Sequence, residues 1–298
     1  MLRQKRHLIA SCLLAALMVI LLPALAGQGD SLEAFGQRIS LHAEYIDLGA
    51  YQADDLDALM AALDQLPQLT RVDMFETRVT PQTMDTLAAR YPDIFFGWTI
   101  RIKEHTLRTD ATAFSTLHNN RAPQHTSQDF EPIKYCKNLQ ALDLGHNAIT
   151  SIDFIKDLTE LRVLILAINQ IEDISVLKNL PNLEYVELFK NKIRDISPLS
   201  DMKHVLDLNI CFNYVKDYSP LDTLTTLERL WIYNSNNYSA SDPIPKDLVA
   251  HLKATLPGCH IDHTHYSTLG GWREHPRYFV IFDIFKNSEY QPFAPVTE

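Results

Sequence analysis

A nine-residue frame, L-x-x-L-x-L-x-x-N, returns every 22 residues through the middle of this chain. Copies begin at Leu139, Leu161, Leu183, Val205 and Leu227. Their fourth positions are Leu142, Leu164, Val186, Leu208 and Leu230, and their sixth are Leu144, Leu166, Leu188, Ile210 and Ile232. Between copies run Ile149, Ile171, Ile193 and Val215, then Ile155, Leu177, Leu199 and Leu221. A unit this short cannot bury its apolar positions alone. Stacked on its neighbours it can, joining them into one core with a short parallel strand from each unit. The ninth position is Asn147, Asn169, Asn191 and Asn213, where the chain leaves the strand and turns inward. An amide there can satisfy backbone groups that water does not reach. Ser235 ends this ladder, so the fifth copy is atypical.

The frame is that of leucine-rich repeats. Glu172-Asp-Ile-Ser175, Arg194-Asp-Ile-Ser-Pro-Leu199 and Asp217-Tyr-Ser-Pro-Leu221, on a 22-residue period, resemble the internalin-type repeats of secreted and surface bacterial proteins over residues 139–238. The resemblance implies an α/β solenoid: a leucine-rich repeat horseshoe with a parallel β-sheet on its concave face and a short 3₁₀ turn on the convex side of each regular repeat. Ser-Pro suits such a turn, because proline fixes φ and stops helix growth. The flanks read as irregular coils with true helices. Tyr45–Leu48, Arg71–Met74 and Phe95–Ile102 have strand character, Leu56–Leu63 has helical spacing, and Lys246–Leu256 repeats that pattern after the array. Asp54, Asp55 and Asp57 read as a helix start favoured by the dipole. Residues 118–130 read as a loop and 286–298 as a loose tail. Arg101–Leu117 and Gly270–Tyr278 resemble segments of exported Firmicutes leucine-rich repeat proteins of unknown role, which supplies no activity.

The chain divides into a signal peptide (1–26), irregular coils and a loop (27–130), regular repeats (131–240) and a capping unit with a tail (241–298). Arg3, Lys5 and Arg6 precede an apolar run from Leu8 to Leu22 and a Pro23-Ala-Leu-Ala26 cleavage site. Export to the cell envelope or beyond is the expectation. Membrane attachment follows only if the signal is retained, since its 19 apolar residues from Leu8 to Ala26 just reach across a bilayer. The rest keeps Cys136, Cys211 and Cys259, which is no disulfide framework; at most one pair can form. Cys211 reads as a small buried hydrophobe. A net charge of −10 without a basic stripe argues against nucleic acid as a partner. Nine glycines and no phosphate-loop motif remove the common nucleotide enzymes.

Alternation along each strand points the fourth and sixth positions into the core and the third and fifth onto the concave side, with the seventh and eighth at its margin. Tyr185, Glu187, Phe189, Asp207, Phe212, Arg229, Trp231 and Tyr233 then share that side. Clustered aromatic residues and arginine on an open surface mark a partner. These eight are the candidate partner-binding residues, for a protein or peptide, with a glycan as a further option. The acidic field favours partners with a basic patch. The alternative for the same rings is that a flanking loop covers them and they extend the core.

No catalytic residues, cofactor or metal are assigned. Cys259-His260-Ile-Asp-His263-Thr-His265 carries ligand residue types, with His263 and His265 on one side of a strand, but matches no zinc spacing. A metal-dependent enzyme using that cluster is the alternative function, and a purely structural envelope protein the third. Glu104, His105 and Asp110 have acid–base character without a nucleophile beside them.

Overall fold

A computed structural model describes residues 30–116, 124–236 and 243–294; the expected signal segment lies outside the described residues. The described part opens with a hairpin of β1 (Ser31–Ala34) and β2 (Gln37–Ser40), which caps the core with Ile39. Three parallel strands follow: β3 (Tyr45–Asp47), β4 (Arg71–Asp73) and β5 (Phe95–Gly97). They are linked by α1 (Leu56–Leu63) and α2 (Pro81–Arg90). The acidic run does start α1: the Asp55 carboxylate accepts a hydrogen bond from the Ala58 amide at 2.9 Å. Thr80 does the same for α2 through the Thr83 amide at 3.1 Å, with Pro81 in the first turn.

The expected single strand Phe95–Ile102 is two. After Trp98 the chain leaves the parallel sheet as β6 (Thr99–Ile102) and pairs antiparallel with β7 (His105–Arg108). The break is set by Thr109, whose hydroxyl accepts from the Trp98 amide at 2.8 Å and donates to the Phe96 carbonyl at 3.1 Å, replacing a ladder partner. Lys103, at φ 50°, makes the hairpin tip.

The main sheet has seven parallel strands in chain order: β8 (Ala113–Ser115), β9 (Ala141–Asp143), β10 (Val163–Ile165), β11 (Tyr185–Glu187), β12 (Asp207–Asn209), β13 (Arg229–Trp231) and β14 (His260–Asp262). It therefore starts one strand before the first regular frame and ends one strand after the last; α3 (Lys246–Thr255) leads into β14. Register pairs equal frame positions, so Leu142, Leu164, Val186, Leu208 and Leu230 form one fully buried row. Convex turns at Asp153–Ile155, Ser175–Asn179, Ser197–Asp201 and Ser219–Thr223 are 3₁₀, as the repeats imply. Asp173, Asp195 and Asp217 each accept the amide of the serine two residues on, which closes the entry to the turn. Residues 127–135, expected as the end of a loop and the start of the array, form a longer 3₁₀ segment of the same kind.

The asparagine ladder is continuous. Asn191 accepts the Ile171 amide at 3.0 Å and donates to the Leu166 and Leu188 carbonyls at 2.9 and 3.0 Å, linking one coil to the next. Asn169 and Asn213 repeat this geometry. The residue before each asparagine, His146, Ile168, Lys190 and Phe212, sits in the left-handed region at φ 53° to 61°, which makes the inward turn. At the break in the ladder the backbone takes over. The Val215 amide donates to the Ser235 carbonyl at 2.8 Å, and the Ser235 hydroxyl bonds Tyr218 at 2.6 Å.

The chain then returns over the sheet. Gly270 and Gly271, at φ 72° and 95°, make the turn; a Cβ on Gly270 would lie 2.5 Å from the His265 ring. Helix α4 (Pro276–Asn287) crosses the concave face beside β8 and β9. Tyr290 donates its amide to Thr112 at 3.0 Å, so residues 286–294 are docked and are not the loose tail expected; 295–298 lie outside the described residues.

Candidate functional site

The strand alternation places the eight candidate residues where expected, on the concave side. It does not leave them open. Tyr185, Glu187, Phe189, Asp207, Phe212, Arg229 and Trp231 are buried, and Tyr233 is half-buried. Residues 264–294 cover them, and a second hydrophobic core forms between sheet and cover from Ala141, Val163, Ile165, Tyr185, Trp231, Trp272, Ile281, Ile284 and Phe285. The expectation of an open aromatic face is thus corrected. The physical reason is that third- and fifth-position rings need a partner, and α4 with Trp272 lies within the same chain.

The contacts are specific. Trp272, at 0% exposure, donates its indole N–H to Glu187 at 2.8 Å, packs tilted against Tyr185 and meets Trp231 edge-on, with centroids 5.4 and 5.0 Å apart. Tyr185 donates its hydroxyl to Glu187. The Trp231 indole donates to the Leu269 carbonyl at 2.8 Å, and the Asn209 amide to the Ser267 carbonyl at 3.1 Å. Asp207 receives Arg229 Nε at 2.6 Å and Arg277 Nε and Nη2 at 2.6 and 2.9 Å; Arg277 also reaches Glu228 at 2.7 Å. The Arg229 guanidinium lies over the Trp272 ring, 4.6 Å from its centroid. The charge complement of Asp207 on this surface is therefore Arg277 of the same chain.

Cover is incomplete on the β8–β10 side. There a cleft of about 880 Å³ remains between sheet and α4. Its floor carries Asp143, Ile165, Ala167 and Glu187; Arg273, Tyr278 and Phe282 come from the cover, and Phe282 is 60% exposed. Asp143 accepts from the Ser115 hydroxyl at 3.1 Å and the Gly145 amide at 3.0 Å. Burial, with the Glu187 charge nearby, pushes its carboxyl up to about 7. Burial also raises Glu187, against the hydrogen bonds of Tyr185 and Trp272 and the charges of Arg273 and Arg229. The exposed apolar side chains of the cover, Tyr266, Leu269, Phe279 and Phe282, were not singled out in the sequence. The signal was present as a helix, Pro276–Asn287, with large apolar residues on more than one face.

The Cys259, His260, His263 and His265 cluster does not converge. Strand β14 ends at Asp262, so His263 and His265 follow in a bend; His265 Nδ1 pairs with Asp262 at 2.6 Å and His260 packs on Trp231. Cys136, Cys211 and Cys259 are free thiols. Burial pushes Cys259 up to about 12 and raises the two fully buried ones as well, so Cys211 behaves as a small hydrophobe. Asp110 pairs with Arg71 and Arg108, away from acid–base work with Glu104 and His105. Among the described residues, the group whose metal-ligating atoms do converge is Glu104, His105 and His125, within 4.8 Å of one another.

Residues 137–179 and 159–201 each match the family model for Leucine Rich repeats (2 copies). Residues 137–201 are leucine-rich repeats. A comparison with curated proteins finds no match. Among solved structures, internalin C2 of Listeria monocytogenes is 21% identical, with a TM-score of 0.40 over 68% of this chain and 74% of that one. The internalin inlF of the same organism is 22% identical, TM-score 0.43, over 69% and 50%. A leucine-rich-repeat protein of Leptospira interrogans is 20% identical, TM-score 0.44, over 67% and 50%. This chain spans half the length of the last two. In the present chain the leucine-rich repeats supply the floor of the cleft, and the non-repetitive C-terminal segment supplies its roof.

Proposed function

We propose that this is an exported, non-catalytic binding protein that takes a peptide segment bearing a basic side chain into the cleft between β8–β10 and α4. The observation that carries the reading is the contrast between the two halves of one sheet face. On the covered half, buried Asp207 is met by the guanidinium groups of Arg229 and Arg277. On the open half, Asp143 is equally enclosed and, among the described residues, has hydrogen bonds from Ser115 and Gly145 but no ion pair. A guanidinium or ammonium entering there would replace lost hydration with a charge-assisted hydrogen bond in a low-dielectric site. Ile165, Phe189, Phe282 and Phe285 would hold the apolar stem and its neighbours. Rigid stacked coils limit the entropy lost on binding. Arg273 at the same cleft screens Glu187, which leaves Asp143 as the anchor for the cation. The N-terminal Arg3, Lys5, Arg6 and the apolar run after them support export.

The test is a fluorescence titration of the chain lacking residues 1–26 with defined hexapeptides that differ in one central residue, Arg, Lys, Gln or Glu. Saturable binding of the Arg and Lys peptides is expected, weakened at least about tenfold by Asp143→Asn and by Phe282→Ala. Equal binding of the Glu peptide, or an Asp143→Asn variant that binds as well as the parent, would remove the reading.

A further inference from the structure

A separate cluster lies where the β6–β7 hairpin meets the first coil of the array. Glu104 follows the hairpin tip and His105 opens β7. His125 comes 20 residues later, directly before the Thr126–Ala148 bridge that begins the regular stacking. The tip is held against this coil by Lys103, whose ammonium lies 2.9 Å from Asp129, the residue that also accepts from the Thr126 amide and hydroxyl.

His125 is 2% exposed, and its tautomer follows from its neighbours. Asn147 donates its amide nitrogen to the Leu144 carbonyl at 3.1 Å and to Thr116 at 3.1 Å, and its oxygen accepts the His125 backbone amide at 2.9 Å. That oxygen also lies 3.1 Å from His125 Nδ1, so Nδ1 carries the hydrogen. The lone pair is then on Nε2, which is buried, has no hydrogen-bond partner among the described residues and lies 3.4 Å from Glu104 Oε2. His105 Nε2 stands 3.5 Å from the other carboxylate oxygen. Ligand atoms about 2.0–2.1 Å from a tetrahedral zinc are about 3.4 Å from each other; each imidazole already stands at about that distance from the Glu104 carboxylate, and one ligand atom from each of the three residues lies within 4.8 Å of the others. An imidazole anchored through its second nitrogen, as His125 is by Asn147, is the usual outer support of a metal ligand. Phe114 and Phe130 pack against the two rings at 5.9 and 5.5 Å and keep the site apolar on the inner side.

We propose that Glu104, His105 and His125 bind one divalent cation of the zinc class, through a carboxylate oxygen and two imidazole nitrogens, with water at the remaining position beside the exposed Glu104. The ion clips the hairpin to the first leucine-rich coil. It closes the chain between His105 and His125, so it restricts the unfolded state as a short cross-link does. The site belongs to the N-terminal junction and stands independently of ligand binding in the cleft.

The chain is stripped with a chelator and titrated with zinc by calorimetry, and with cobalt by visible absorption. One ion per chain is expected, with cobalt ligand-field bands of a four-coordinate site and a raised melting temperature on zinc addition. Glu104→Gln, on an exposed turn, and His105→Gln should each weaken zinc at least about tenfold and change the cobalt bands. Absence of saturable binding at one ion per chain overturns the proposal. So does zinc binding that Glu104→Gln and His105→Gln leave unchanged, since the ion would then sit elsewhere. His125→Ala is informative if folded; the Glu104 variant keeps the test decisive if it is not.

Discussion

Arg277 donates two hydrogen bonds to Asp207, 70 residues earlier, and both side chains are almost completely buried. This pair anchors α4 to the middle of the concave sheet. An ion pair formed out of water gains only when its geometry and remaining hydrogen bonds are good, and here Arg229 and Glu228 complete the set. Arg277→Met should therefore cost about 3–5 kcal/mol, because it breaks a buried pair and leaves Asp207 with one partner fewer. Chemical denaturation measures the loss. Combining it with Asp207→Asn should cost less than the two single changes added together.

Trp272 joins three groups that would otherwise lack cover: Glu187, Tyr185 and Trp231. Trp272→Ala should destabilise by about 3–5 kcal/mol. Hydrogen exchange is the discriminating measurement. Protection should fall in residues 264–290, while the ladder amides Ile149, Ile171 and Ile193 keep theirs. A uniform loss across the array would show that cover and coils unfold as one unit.

Ser235 interrupts the asparagine ladder, and a consensus argument favours Ser235→Asn. The geometry argues the other way. The Val215 amide already has the Ser235 carbonyl, and the hydroxyl already has Tyr218. A larger amide in this fully buried position should lower the melting temperature, in contrast to Asn191→Ala. That substitution leaves the buried Ile171 amide without its partner and takes one of two asparagine donors from each of the Leu166 and Leu188 carbonyls, and should cost about 2–3 kcal/mol.

Asp143 has a carboxyl raised to about 7 by burial, well above its unfolded value. Between pH 4 and 7 the folded chain therefore holds a proton that the unfolded chain has lost. Stability contributed here is present at low pH and declines as pH rises through that window, by at most about 1.4 kcal/mol per unit for one proton, then levels off above about 7. Asp143→Asn should flatten this part of a denaturation profile measured across pH. A basic peptide in the cleft should bind more tightly as pH rises through about 7, and the same variant should abolish that dependence.

Much of the architecture was legible because it is local and repeated. Equal frame positions came into register, the fourth and sixth positions entered the core, Asp55 started a helix, and the Ser-Pro turns are 3₁₀. The concave set was legible as a set: Tyr185, Asp207, Arg229 and Trp231 do share a face. What covers them was not, since nothing periodic links Trp272 or Arg277 to residues 41 to 87 positions away. The junction cluster was hidden for the same reason, because Glu104 and His105 meet His125 only through the docking of a hairpin.

The amino-acid pattern alone thus determined a stack of coils, its register and the direction in which each side chain points, since every unit faces the same packing problem as the one before it. The tertiary structure alone decided which side chains meet water. That depends on where a single non-repeating segment comes to rest, and its resting place is fixed by one buried arginine, one indole and the apolar face of α4 against a surface assembled from six different strands.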